Sequence, residues 1–92
     1  MFMHSGYDSK LQSFKGDLSS LIKGDDMFAG ARNLSYFESN LKSLQDGNRM
    51  FNTAKLTSFI LPSKHNLGNL TNADNMFRYC KFDNFTYDLP KL

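Results

Sequence analysis

Apolar residues along this chain recur in a fixed order, not in one simple helical or strand period. Leu11 and Phe14, then Leu18 and Leu21, then Gly24, Met27, Phe28 and Ala31 make a first series. The same order returns at Leu34, Phe37, Leu41, Leu44, Gly47, Met50, Phe51 and Ala54. A third series starts at Leu56 and Phe59 and carries extra residues around Pro62-Ser63-Lys64-His65-Asn66. It resumes at Leu67, Leu70, Ala73, Met76, Phe77 and Cys80. A fourth begins with Phe82 and Phe85 and reaches Leu89 and Leu92. With Ala and Cys counted as one small class, only Ala73 departs from the shared pattern. Such self-similarity marks a repeat architecture, in which single units cannot bury their own apolar stripe and must stack. The chain therefore divides into an N-terminal cap or arm, 1–10, and about three and a half repeats over 11–92, with bounds 11–33, 34–55, 56–81 and 82–92.

Each position suggests an element. Leu and Phe three apart, flanked by polar residues, suit a short strand whose Phe points into the core. The following Leu-x-x-Leu continues the inward side, and Gly24 or Gly47 suits a turn with unusual backbone angles. Asp25-Asp26-Met27-Phe28, Gly47-Asn48-Arg49-Met50-Phe51 and Ala73-Asp74-Asn75-Met76-Phe77 read as helix starts. Asp or Asn caps the first turn, and Met, Phe and the small residue four past the Met share one helical face. The predicted fold class is an α/β repeat, with a parallel sheet on one face and short helices or turns on the other.

A family resemblance rests on the same residues. Leu56-Thr57-Ser58-Phe59, Asp17-Leu18-Ser19-Ser20-Leu21 and Met76-Phe77-Arg78-Tyr79-Cys80 resemble leucine-rich repeats of the treponemal or bacterial-surface-antigen type, over roughly residues 11–92. The resemblance implies a short right-handed solenoid and non-enzymatic work: adhesion, protein recognition or building a surface. Repeats of this kind are also similar to segments of phage proteins, virion parts among them. A repeat fold narrows architecture far more than function, because solenoids host many partners.

Composition adds little that the repeat does not explain. The net charge is +2, from 11 basic and 9 acidic residues, and the basic residues are scattered singly. No nucleic-acid partner is expected from that balance. No apolar run is long enough to cross a bilayer, and the start lacks the charged and apolar segments of a signal peptide. The single cysteine excludes an internal disulfide. His4, His65 and Cys80 share no metal-ligand spacing, so neither a metal nor a cofactor is expected. Cys80 occupies the place of Ala31 and Ala54 and reads as a small core residue. The carboxylates before the Met-Phe units read as caps, and no acid-base or nucleophile constellation is present, so the expectation is no enzyme. Asn33-Leu34-Ser35, Asn69-Leu70-Thr71 and Asn84-Phe85-Thr86 match a glycosylation sequon and are read as coincidence.

What remains for function is the outward side of the sheet and the ends of the stack. Positions flanking the inward Phe present Ser13 and Lys15, Tyr36 and Glu38, Ser58 and Ile60, Asn84 and Thr86. Tyr36 beside Ile60 is the pair best suited to anchor an interface. The insertion Pro62–Asn66 is a second contact candidate. At the C-terminal end Leu89 and Leu92 mark an open coil. Apolar side chains left wet there would cost about 1.5–3 kcal/mol each, against a total stability of about 5–15 kcal/mol. A protein partner, a second copy or a local fold-back is expected to cover it. Met1-Phe2 with Tyr7 reads either as a cap or as a disordered tail. The function this favours is a protein-interaction or structural module, first as a small phage virion component docked on capsid, tail or fibre. The alternatives are a bacterial surface adhesion module and a cytoplasmic adaptor or inhibitor.

Overall fold

In the computed structural model of the protein, residues 10–92 are described. The cap-or-tail reading of Met1, Phe2 and Tyr7, and His4, lie outside them. Three strands form one parallel sheet in chain order: β1 (Ser13–Lys15), β2 (Tyr36–Glu38) and β3 (Ser58–Ile60). Their register is that of the repeat. Ser13 pairs with Tyr36 and Tyr36 with Ser58; Phe14, Phe37 and Phe59 align; Lys15 pairs with Glu38 and Glu38 with Ile60. Alternation across a strand sends each Phe inward and its two neighbours outward. The strands stay short because a turn follows at once: Asp17 Oδ1 accepts the Ser19 N–H at 2.9 Å and Asn40 Oδ1 the Lys42 N–H at 3.0 Å, side-chain mimics of a backbone turn. A second, thinner parallel ladder joins Lys23, Asp46 and Asn72 on a later part of each pass.

Two columns of phenylalanine fill the interior. Phe28, Phe51 and Phe77 stack within 3° of parallel, at 5.5 and 5.7 Å between centroids. Phe14, Phe37, Phe59 and Phe85 make the second column at 5.4, 5.4 and 6.0 Å. The columns interlock edge to face, as where Phe37 meets Phe51 at 4.8 Å and 74°. Each such pair adds about 0.5–1.5 kcal/mol beyond the area it buries. Leu34, Leu41, Leu44, Leu56, Leu67 and Leu70 are fully buried around them.

The helices expected at the Met-Phe units do not form. Among the described residues there is no helix, so the chain is not the α/β solenoid with helices that pattern and resemblance implied. Each unit is instead a run of overlapping turns. In the first coil the Met27 N–H donates to the Gly24 carbonyl, Ala29 to Asp26 and Ala31 to Phe28. The N–H groups between them leave the coil altogether: Asp26 donates to Asn48, Phe28 to Met50 and Gly30 to Asn52, at 2.8–3.0 Å. Sending alternate N–H groups to the neighbour requires left-handed residues at regular intervals. Asp26, Arg49 and Asn75 have φ of 59°, 56° and 55°, and Gly30, Thr53 and Tyr79 have 80°, 68° and 71°. A right-handed helix needs φ near −63° throughout. The left-handed conformation costs roughly 1–2 kcal/mol per non-glycine residue, which the inter-coil hydrogen bonds offset.

Two further expectations change with the helices. The acidic residues have no helix to cap; Asp26 instead holds Arg49 of the next coil in a two-point contact at 2.9 and 3.0 Å. Among the described residues, one carboxylate oxygen of Asp25 is buried and meets no hydrogen-bond partner. Gly24 and Gly47 are not the residues with unusual angles. They serve space: a Cβ on either would stand 2.8 Å from the Sδ of Met50 or Met76, the methionine of the following coil.

Polar side chains tie coil to coil where backbone pairing lapses. Ser39 Oγ accepts the Leu18 N–H at 3.1 Å, and Asn66 Oδ1 accepts the Leu41 N–H at 2.6 Å. Asn66 Nδ2 donates to Asn40 Oδ1 at 3.1 Å. Asn66 is therefore a buried rung of the stack, while Pro62–His65 lie exposed.

Candidate protein interface

The sheet's outward side carries two rows set by strand register. One is Ser13, Tyr36 and Ser58; the other is Lys15, Glu38 and Ile60. Tyr36 and Ile60 are thus diagonal neighbours on adjacent strands, within reach of one surface patch but not directly opposed. Ser13, Lys15 and Ile60 are exposed, and Tyr36, Glu38 and Ser58 half-buried. Glu38 organises the centre. The Tyr36 hydroxyl donates to its Oε1, and Lys15 Nζ approaches its Oε2 at 3.9 Å. The hydrogen bond to Glu38, with some desolvation and the like charge that ionisation would create, raises the phenol pKa above its ordinary value. An exposed ion pair of this kind adds at most about 1 kcal/mol to stability. It places an aromatic ring, a carboxylate and an ammonium side by side on this face.

Where the strands end, Lys15–Asp17, Glu38–Asn40 and Ile60–Pro62 line a shallow groove of about 460 Å³. The groove continues the face, since Lys15, Glu38 and Ile60 belong to both. Asn84 and Thr86 are exposed but lie outside the sheet, which among the described residues has three strands and no fourth. The reason is Tyr87. Its hydroxyl donates to the Phe59 carbonyl at 2.9 Å and accepts the Leu61 N–H at 2.9 Å, occupying backbone groups at the edge of β3. Phe85 still stacks on Phe59. Residues 82–92 cover the sheet side of the last full coil: Leu89 is half-buried against the core and Leu92 is 57% exposed. They also dock on the insertion, where the Asp88 N–H donates to the Lys64 carbonyl at 2.8 Å and Asp88 Oδ2 lies 3.0 Å from His65 Nδ1.

Cys80 is half-buried where Ala31 and Ala54 are fully enclosed, because no Met-Phe turn follows its coil. Desolvation raises its thiol pKa, and the Sγ donates to the Phe51 carbonyl at 3.4 Å. Among the described residues no group of three or more His, Cys, Asp or Glu could hold a metal ion, and no helix is long and apolar enough to cross a membrane. Sequence reasoning did not single out Tyr87, exposed Ile22 or the outer edge of the third coil. The signal for Tyr87 was a large polar aromatic at the repeat position held by Gly16 and Ser39.

The fold and face define a small stack of turns with one exposed, parallel three-stranded sheet surface. No protein-family model, no curated protein and no solved structure matches the chain.

Proposed function

We propose that the chain is a non-enzymatic protein-interaction or structural module that makes its contact through the outward side of the sheet. One observation carries this: Glu38 accepts the Tyr36 hydroxyl and has Lys15 Nζ at 3.9 Å, beside exposed Ile60, on strands backed by two columns of stacked rings. A rigid aromatic, an aliphatic and a charge pair on one patch are the parts from which interface anchors are built. Within that class, docking on a phage capsid, tail or fibre is the placement favoured by the resemblance of the repeats, with a bacterial surface as the second.

A photo-reactive amino acid placed at Ile60, and separately at exposed Arg32 on another part of the stack, tests the reading in the native host. The Ile60 position should cross-link to one protein species, identified by mass spectrometry, and the added substitution Glu38→Lys should remove that species. Equal cross-linking from Arg32, or survival of the product with Glu38→Lys, would contradict it. Finding the chain and its cross-linked partner in purified virions would support the phage placement; a partner in the cell envelope would replace it with the surface one.

A further inference from the structure

The outer edge of the third coil presents hydrogen-bond donors without acceptors. Every second N–H of the Met-Phe turns in the first two coils crosses to the next coil: Gly24, Asp26, Phe28 and Gly30 to Asp46, Asn48, Met50 and Asn52, then Gly47, Arg49, Phe51 and Thr53 to Asn72, Asp74, Met76 and Arg78. The corresponding donors in the third coil are the N–H groups of Ala73, Asn75, Phe77 and Tyr79. Among the described residues none of the four meets an acceptor. Their own carbonyls are turned to other work, since Ala73, Asn75 and Phe77 accept from Met76, Arg78 and Cys80. An ordinary strand edge alternates donors and acceptors; this edge offers donors alone and is correspondingly electropositive.

Another copy of the same turn would meet a less open surface there. Where a Met-Phe turn follows, the preceding coil has glycine, because the next methionine's Sδ stands 2.8 Å from any added Cβ. The third coil has Ala73, whose methyl group fills that space. At the opposite end, Met27 and Phe28 of the first coil are already buried, at 5% and 0% exposure, so that end does not offer a free mating surface.

The surroundings favour an acidic occupant. The row ends at Tyr79, 58% exposed, whose ring carries the Arg78 guanidinium 4.8 Å above it. Tyr79 also lines a cleft of about 590 Å³ with Lys55, Lys81, Thr53, Thr57 and Cys80, a lining with two lysines and no carboxylate. The one carboxylate between Ala73 and Tyr79, Asp74, belongs to the end of the row away from this cleft, and the Arg49 guanidinium nearby is held by Asp26. We propose that this edge docks an extended acidic segment of a partner protein. The segment's main-chain carbonyls accept from Ala73, Asn75, Phe77 and Tyr79, and its carboxylates meet Lys55 and Lys81. This surface is distinct from the sheet face and stands whether or not that face binds.

The test uses the isotopically labelled full chain and short synthetic peptides of alternating glutamate and valine, glutamine and valine, or lysine and valine. The glutamate peptide should shift the amide resonances of Ala73, Asn75, Phe77 and Tyr79 and slow their exchange, while leaving Asp26 and Phe28 unchanged. Combined Lys55→Glu and Lys81→Glu substitutions, both at exposed side chains, should weaken binding several-fold. No response at the four amides overturns the proposal, and so does equal binding of the glutamine peptide. Shifts of the same amides with protein concentration alone, without peptide, would assign the edge to a second copy and overturn it as well.

Discussion

The Sδ of Met50 occupies the space beside Gly24 that a Cβ would need, and Met76 stands in the same relation to Gly47. This contact explains why glycine holds this position in the first two coils and why Ala73, with no methionine after it, is the one departure. Gly47→Ala should therefore destabilise by about 1–3 kcal/mol through overpacking. Ala73→Gly should cost only about 0.4–1 kcal/mol through the freer unfolded chain. Urea midpoints of the two variants give the comparison. A Gly47→Ala variant as stable as the parent would show that the methionine moves aside without cost.

Phe37 is fully buried at the junction of both ring columns, touching Phe14, Phe28, Phe51 and Phe59. Phe37→Ala should lose about 3–5 kcal/mol, a large part of the stability of so small a domain. Phe85→Ala, at a half-buried ring on the last coil, should lose clearly less. Thermal melts followed by circular dichroism would rank them, and equal losses would mean the columns do not act as drawn.

Removing the Tyr87 hydroxyl should expose the edge of β3. In Tyr87→Phe the Leu61 N–H, on a residue only 7% exposed, loses its acceptor. An unpaired buried donor costs about 1–3 kcal/mol. The Leu61 amide should exchange with solvent faster in the variant, while the Phe28 amide keeps its protection. Unchanged exchange at Leu61 would remove Tyr87 as the edge cap.

The repeat was readable because identical side chains stack on themselves. Phe14, Phe37, Phe59 and Phe85 lie in one column for the same reason that they recur in sequence. Alternation about those rings also put Lys15, Tyr36, Glu38, Ser58 and Ile60 on the outward side. The helices were misread because Met27, Phe28 and Ala31 share a face equally well in a helix or in overlapping turns. The sign of φ at Asp26, Arg49 and Asn75, and again at Gly30, Thr53 and Tyr79, separates the two, and Asp, Arg and Asn in one repeat position do not announce a left-handed residue as glycine would. Asn84 and Thr86 fell outside the sheet through a side-chain contact of Tyr87, which periodicity cannot express.

The Tyr36–Glu38 hydrogen bond should be visible in a pH titration. Because the bond raises the folded phenol pKa, its contribution is fully present below the unfolded tyrosine value, ordinarily about 10, and is lost as pH rises through the folded value. Ultraviolet titration should show a tyrosine ionising above the ordinary range, and Glu38→Gln should bring it back toward that range. An unshifted transition in the parent protein would mean that the hydroxyl is not held.

The sheet face is the centre of this account, and its most direct measurement is the affinity of the cross-linked partner for three purified variants. Tyr36→Ala and Ile60→Ala should each weaken binding by more than about 1 kcal/mol, the mark of an anchor residue. Arg32→Ala, away from the face, should leave it unchanged. Loss of binding in the Arg32 variant, with Tyr36→Ala and Ile60→Ala binding like the parent, would contradict the assignment.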